Sequence, residues 1–153
     1  IYFDNQLVTN QVSGMFSSEV AWLLGPGMAI ALSITAFLGI RAYRAGAETK
    51  HLFVATFLTA TLDLIIFNKV GSPQFEIWLA VPLMAGVLFG LEKWRLPLIT
   101  GSAIALLTNL LYPIFYMDLM VLGWLGIAIL TVRNAFLIAL LVWANMRLSK
   151  LAI

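Results

Sequence analysis

Cysteine is absent from this sequence, histidine occurs once, and charged residues make up only 10% of the 153 residues. A chain without cysteine has no disulfides, no thiolate metal ligands and no cysteine nucleophile. His51 has no cluster of carboxylates near it along the chain, so we expect neither a metal site nor another cofactor. A nucleophile elbow and a Walker loop are missing as well. These absences remove the commonest thiol, metal and hydrolase chemistries.

Apolar residues, by contrast, make up 62% of the chain, and the mean hydropathy is +0.99. A soluble domain is roughly half apolar and about a quarter charged. Apolar runs close to the length that crosses a bilayer cover residues 20–40, 52–67, 75–91, 96–111 and 119–146. The sequence therefore predicts an all-α polytopic membrane protein with about five transmembrane helices, which form a single domain over residues 1–153. Because Gly25-Pro26-Gly27 interrupts the first run, we expect its regular helix to begin at Pro26.

The cations predict the orientation of these helices. When the connections are assigned alternately to the two sides, one side receives seven of the nine lysines and arginines, namely Arg41, Arg44, Lys50, Lys93, Arg95, Arg147 and Lys150. The other side receives Lys69 alone, and Arg133 lies inside the last run. By the positive-inside rule, the C-terminus is cytoplasmic, the protein is a multi-pass plasma-membrane protein, and residues 68–74 lie on the external face. Nucleic-acid binding is not expected, because the charges form no single face.

Five spans with a cytoplasmic C-terminus place residue 1 outside the cell. The first residue is Ile, and no signal peptide precedes the first polar stretch. An external N-terminus of this kind is natural for the last five helices of a longer protein. We therefore expect the sequence to be the C-terminal part of a larger membrane protein.

The polar break at residues 68–75 is the first candidate binding site. It offers a cation, Lys69, the side chains of Asn68 and Gln74, and the backbone N–H groups at the start of the third helix. Such a combination suits a phosphate group. The alternative is a plain polar turn with a lysine that extends to the interface, and local composition favours that alternative.

Arg133 is the second candidate, because a straight helix through the last run puts it about 20 Å from each end. A charge near mid-bilayer is costly unless it is paired or hydrated, so it indicates either function or a structural ion pair. Asp63 is one conceivable partner, but the straight-helix arrangement separates the two in depth by more than about 10 Å. For Asp63 itself we favour a structural role, such as pairing with Lys69, over a role as base or ion ligand.

The turn at residues 112–118 carries two further candidates for polar support. Tyr112 belongs to an aromatic turn that is typical of the membrane interface. Asp118 is an external carboxylate in the same turn. The pairs Gly86/Gly90 and Gly101/Ala105 indicate close helix packing, without chemistry.

Residues 68–75, together with Trp78 and Pro82, resemble the NKVxSPQ(F/Y)xxWLxxP segment of bacterial polyprenol-phosphate-sugar-dependent glycosyltransferases. These belong to the GT-C class, and the resemblance is greatest to the actinobacterial family-87 mannosyltransferase-like proteins. Residues 107–116 (LTNLLYPIFY) resemble the late external turn of that family. Residues 130–144 (LTVRNAFLIALLVWA) resemble its last helix. The three stretches cover most of residues 60–146.

The resemblance implies an enzyme that takes a sugar, mannose in the nearest relatives, from a polyprenyl-phosphate donor and passes it to a glycan or glycolipid acceptor on the external face. Donor binding would then involve Asn68, Lys69, Gln74, Trp78 and Arg133, with the donor as substrate and the surrounding lipid as partner. The family's usual catalytic carboxylate lies in an early external loop that has no counterpart here. The chain alone would therefore lack the catalytic base, and no catalytic residue is assigned.

The residues alone also allow two other functions. The first is a small non-catalytic accessory subunit of a larger membrane complex, which the paired small residues and the missing base also fit. The second is a transporter or channel element built around Asp63 and Arg133, which requires a water-filled path to the cytoplasmic side.

Overall fold

The computed structural model describes residues 2–4, 9–11, 15–68 and 73–153. Two short antiparallel strands come first, β1 (Tyr2–Asp4) and β2 (Thr9–Gln11), with Tyr2 opposite Gln11. Six α-helices follow: α1 (Ser17–Arg44), α2 (Thr49–Ile66), α3 (Ala80–Leu88), α4 (Arg95–Asn109), α5 (Tyr116–Met120) and α6 (Trp124–Leu151). A 3₁₀ helix at Pro73–Leu79, here called the motif helix, leads into α3, and a π-helical turn at Leu110–Ile114 follows α4.

Four helical segments are long and apolar enough to cross a membrane: Ser17–Arg44, Thr49–Ile66, Arg95–Ile114 and Trp124–Leu151. The motif helix and α3 together form a fifth, shorter apolar segment, Pro73–Leu88. Large apolar side chains cover the outside of these helices, which is the arrangement that lipid rather than water requires. The predicted all-α polytopic fold is therefore confirmed, with the small hairpin as an addition before the first helix.

The expected start of the first helix at Pro26 is wrong, because α1 begins at Ser17 and continues through Gly25-Pro26-Gly27. Proline removes one backbone hydrogen bond from a helix interior. In lipid, however, a non-helical backbone would leave several polar groups without partners, so the continuous helix is the less costly solution. Gly25 faces open space, whereas Gly27 lies against the ring of Phe67, where an added Cβ would be 3.0 Å from the ring.

The last apolar run is also not the straight helix that the sequence predicts. It breaks between α5 and α6, where Leu122 adopts a positive φ of 58° and Gly123 is extended. Asp118 stabilises the break, because its Oδ2 atom accepts a hydrogen bond of 2.7 Å from the backbone N–H of Gly126. That N–H belongs to the first turn of α6 and would otherwise lack a partner. Asp118 is therefore a helix cap.

The core of the bundle lies around α2, which packs against α1, α3 and α6. At the end that carries Arg95, the ring of Trp94 lies directly over Gly86, and its Nε1–H donates a 2.8 Å hydrogen bond to the carbonyl of Leu83. Leu83 in turn packs against Gly101. The close packing expected at Gly86 and Gly101 is thus present. Gly90 has another role, since its φ of 63° ends α3.

Candidate functional site

A buried ion pair joins the motif helix to α6. Arg133 is 4% exposed, and its Nε–H donates a hydrogen bond of 3.1 Å to Oε1 of Glu76. Its Nη2 group donates a second bond to the same oxygen. Both side chains are almost completely removed from solvent, so each charge depends on the other.

Sequence reasoning missed Glu76 as the partner of Arg133. The available signal was that Glu76 is the only charged residue in the apolar run 75–91. A lone carboxylate and a lone cation in two apolar segments are expected to pair, because each is costly alone. The expected depth of Arg133 is wrong too. Because α6 begins at Trp124, Arg133 lies only about 14 Å from its N-terminal end, rather than about 20 Å.

The second carboxylate oxygen of Glu76, Oε2, is buried and has no hydrogen-bond partner among the described residues. A buried ion pair is stabilising only when the remaining lone pairs are also satisfied. The pair therefore fixes the position of the motif helix and leaves one acceptor atom without a partner in the described part of the chain.

Tyr112 brings a third part of the chain to this place. It lies in the π-helical turn after α4, and its ring contacts that of Tyr116, with 5.3 Å between the ring centroids. This turn packs against α6, the helix that carries Arg133. The ion pair and the aromatic turn are thus neighbours at one end of the bundle.

The motif residues lie on different faces of the motif helix. A 3₁₀ helix has three residues per turn, so Glu76 and Leu79 share the buried face. Gln74 lies on an exposed face. Trp78 lies on the remaining face, is 43% exposed and stacks against Phe75 with 4.8 Å between ring centroids. The structure therefore does not bring Gln74, Trp78 and Arg133 together on one surface.

Two of the candidate donor-binding residues, Asn68 and Lys69, precede this helix in the sequence. Asn68 is half-buried just beyond the end of α2. Lys69, the only cation predicted for this end apart from Arg133, lies outside the described residues. Its role in phosphate binding, and its pairing with Asp63, remain predictions.

Asp63 is 1% exposed and accepts a hydrogen bond of 2.7 Å from the hydroxyl of Thr35. This bond links α1 to α2, and Thr35 is one of only two buried residues in α1. Asp63 does not pair with Arg133, whose carboxylate partner is Glu76. The observed contact of Asp63 is structural, in keeping with the role favoured from the sequence.

Among the described residues, no group of three or more histidines, aspartates or glutamates is placed to hold a metal ion. Comparisons with protein-family models, with curated proteins and with solved structures find no match to this chain. The functional argument therefore rests on the residues themselves and on how the fold brings them together.

Proposed function

We propose that this chain is the C-terminal membrane portion of a glycosyltransferase. The enzyme would transfer a sugar, mannose by resemblance, from a polyprenyl-phosphate donor to a glycan or glycolipid acceptor. The transfer would occur on the external face of the plasma membrane. Glu76 and Arg133 carry this proposal, because their ion pair joins the motif segment to the last helix.

The support comes from the meeting of three stretches that are distant in sequence. The resemblance involves residues 68–82, 107–116 and 130–144. Glu76 lies in the first stretch, at a position that the resembling segment leaves variable, Tyr112 lies in the second and Arg133 in the third. Glu76 and Arg133 are in contact, and the turn that holds Tyr112 packs against α6, the helix of Arg133. Residues that serve one ligand must lie close together, and this arrangement meets that requirement.

The end of the bundle that these residues occupy is poor in cations. The other end carries the remaining lysines and arginines of the described residues, from the α1–α2 connection, the α3–α4 connection and the end of α6. The positive-inside rule favours the cytoplasm for the cation-rich end. The motif end then faces outward, where a polyprenyl-phosphate sugar is used.

The proposal gives these residues different roles in donor binding. Arg133 is a positioning residue, since its charge is already paired and it is buried beside Glu76. It holds the motif helix against α6. Lys69 and Gln74 contact the phosphate of the donor, with Asn68 beside them, and Trp78 provides a partly exposed apolar surface for the first isoprene units.

Replacing Lys69 by alanine tests this assignment. We expect Lys69→Ala to raise the Kd for a short-chain polyprenyl-phosphate mannose by about tenfold or more, because a charge-assisted hydrogen bond contributes about 1.5–3 kcal/mol. The measurement is a binding titration with the purified full chain in detergent. Lys150→Ala, which removes an equal charge from the opposite end, is the control and should leave the Kd unchanged. An unchanged Kd for Lys69→Ala would contradict the assignment.

A further inference from the structure

An apolar groove with a volume of about 620 Å³ lies between α1 and α2, at the opposite end of α2 from the motif. Three small residues leave room for it: Ala36 and Gly39 on α1, and Ala60 on α2. Larger side chains, among them Tyr43 and Phe53, form its walls. Because both helices span the membrane, this groove opens toward lipid.

Two cations, Arg44 and Lys50, directly follow groove residues at the end nearest the connection between the two helices. Arg44 is exposed, follows Tyr43 and lies one turn beyond the groove residue Ile40. Lys50 follows the groove residue Thr49. An apolar groove with positive charge at its membrane-surface end matches the two parts of a phospholipid with an anionic headgroup.

Glu48 is the one carboxylate at this end of the groove. Its carboxylate pairs with Lys50 at 2.9 Å and with His51 at 2.7 Å. The hydrogen bond from Lys50 keeps the pKa of Glu48 below its usual value, so Glu48 is ionised at neutral pH. Lys50 is therefore partly neutralised. Arg41 and Arg44 have no ion-pair partner among the described residues, so the groove end keeps a net positive charge.

We propose that this groove binds an anionic phospholipid. One acyl chain lies along Ala36, Gly39 and Ala60, and the headgroup phosphate contacts Arg44, with Lys50 beside it. The acyl chain gains contact with the apolar walls of the groove. The guanidinium of Arg44 gains a phosphate counter-charge whose geometry matches its own. A transmembrane helix of another protein would also fill the apolar walls. It would leave the cations at the groove end without a counter-charge, so the charge pattern favours the phospholipid.

Native mass spectrometry of the full chain tests this proposal, with phosphatidylglycerol and phosphatidylcholine of identical acyl chains as probes. We expect one phosphatidylglycerol to bind preferentially. Arg44→Gln should weaken its binding about fivefold, since one cation near the membrane surface contributes about 1 kcal/mol. Ala36→Phe fills the groove and should weaken the binding about tenfold, because each methylene that loses its buried place contributes about 0.8 kcal/mol.

Each variant has a matched control. Arg95→Gln removes a charge from the same end of the bundle but lies outside the groove. Ala139→Phe changes an exposed residue of α6. Ala139 lies eight residues before Arg147, just as Ala36 lies eight residues before Arg44. Both controls should bind phosphatidylglycerol as the unchanged chain does.

Equal losses in Arg95→Gln and Arg44→Gln would overturn the proposal, since general attraction to basic ends would then explain the binding. Unchanged binding in Ala36→Phe, or a dimer that Ala36→Phe dissociates, would overturn it as well.

This proposal does not depend on the glycosyltransferase assignment. The groove lies at the opposite end of the bundle from Glu76 and Arg133, and none of its residues belongs to the motif. Loss of donor binding in Lys69→Ala and loss of phosphatidylglycerol binding in Arg44→Gln are independent results. One proposal can therefore be contradicted while the other is supported.

Discussion

Arg133→Met lowers the free energy of unfolding by about 3–5 kcal/mol, which is the usual result of removing one partner of a buried ion pair. Methionine keeps the length and apolar stem of the side chain but leaves the Glu76 carboxylate unpaired in a membrane interior. Glu76→Leu should be destabilising by a similar amount, because it leaves the guanidinium unpaired. Reversible unfolding in mixed detergent micelles, followed by circular dichroism, provides the measurement.

The double variant Glu76→Leu/Arg133→Met separates this explanation from a simple packing defect. Replacing both charges by apolar groups removes the need for pairing, so we expect the double variant to recover most of the stability that either single variant loses. Arg95→Met, at an exposed position, is the control and should change the stability little. Additive losses in the double variant would show that the two side chains do not depend on each other.

Trp94→Ala should lower the free energy of unfolding by about 3–5 kcal/mol, the range for truncating a large buried aromatic residue. Trp94 is only 5% exposed. Its ring contacts Trp143 edge-on, with 5.6 Å between ring centroids, and its Nε1–H bonds to the carbonyl of Leu83. The change would remove both interactions, and the buried ring itself, at the junction of α3, α4 and α6. Trp124→Ala, which is 78% exposed, is the matched control and should have a small effect.

Gly86→Ala tests the contact between Gly86 and the ring of Trp94. An added Cβ would lie 1.9 Å from the Trp94 ring, so the ring must move. We expect a loss of about 1–3 kcal/mol for this overpacking. Combined with Trp94→Ala, the added methyl group should be tolerated, because the ring is gone and the space is free. A full additive loss in the double variant would contradict the close contact between Gly86 and Trp94.

The transmembrane character could be predicted because it depends on composition and run length alone. Ion-pair partners depend on tertiary structure instead. The sequence indicates that Arg133, a charge inside an apolar run, needs a partner or hydration. Its depth follows from the break before Trp124, where Leu122 has a positive φ. Hydropathy contains no signal for that break. Glu76 was missed as the partner of Arg133 because its place on the buried face depends on the 3₁₀ geometry of the motif helix, which the hydropathy of the run does not indicate.

The arrangement of the motif residues also depends on the type of helix that they form. The residues that the sequence groups together as one binding string, Gln74 and Trp78, are separated by the helix onto different faces. Their separation fits different roles, with Gln74 at the donor phosphate and Trp78 at the lipid. The ion pair between Glu76 and Arg133 positions the motif helix, and this leaves Lys69 and Gln74 as the residues for phosphate contact in the proposed function.

The most direct test of the proposed function is photo-crosslinking of the full chain with a polyprenyl-phosphate mannose that carries a diazirine on its first isoprene unit. Labelled peptides are then identified by mass spectrometry. We expect labelling to concentrate in residues 68–82 and 107–116, to decrease with excess unlabelled donor, and to fall in Lys69→Ala but not in Lys150→Ala. Two results would contradict donor binding at the motif: labelling that excess unlabelled donor does not decrease, and labelling confined to the α1–α2 groove. Either result would favour a non-catalytic accessory subunit.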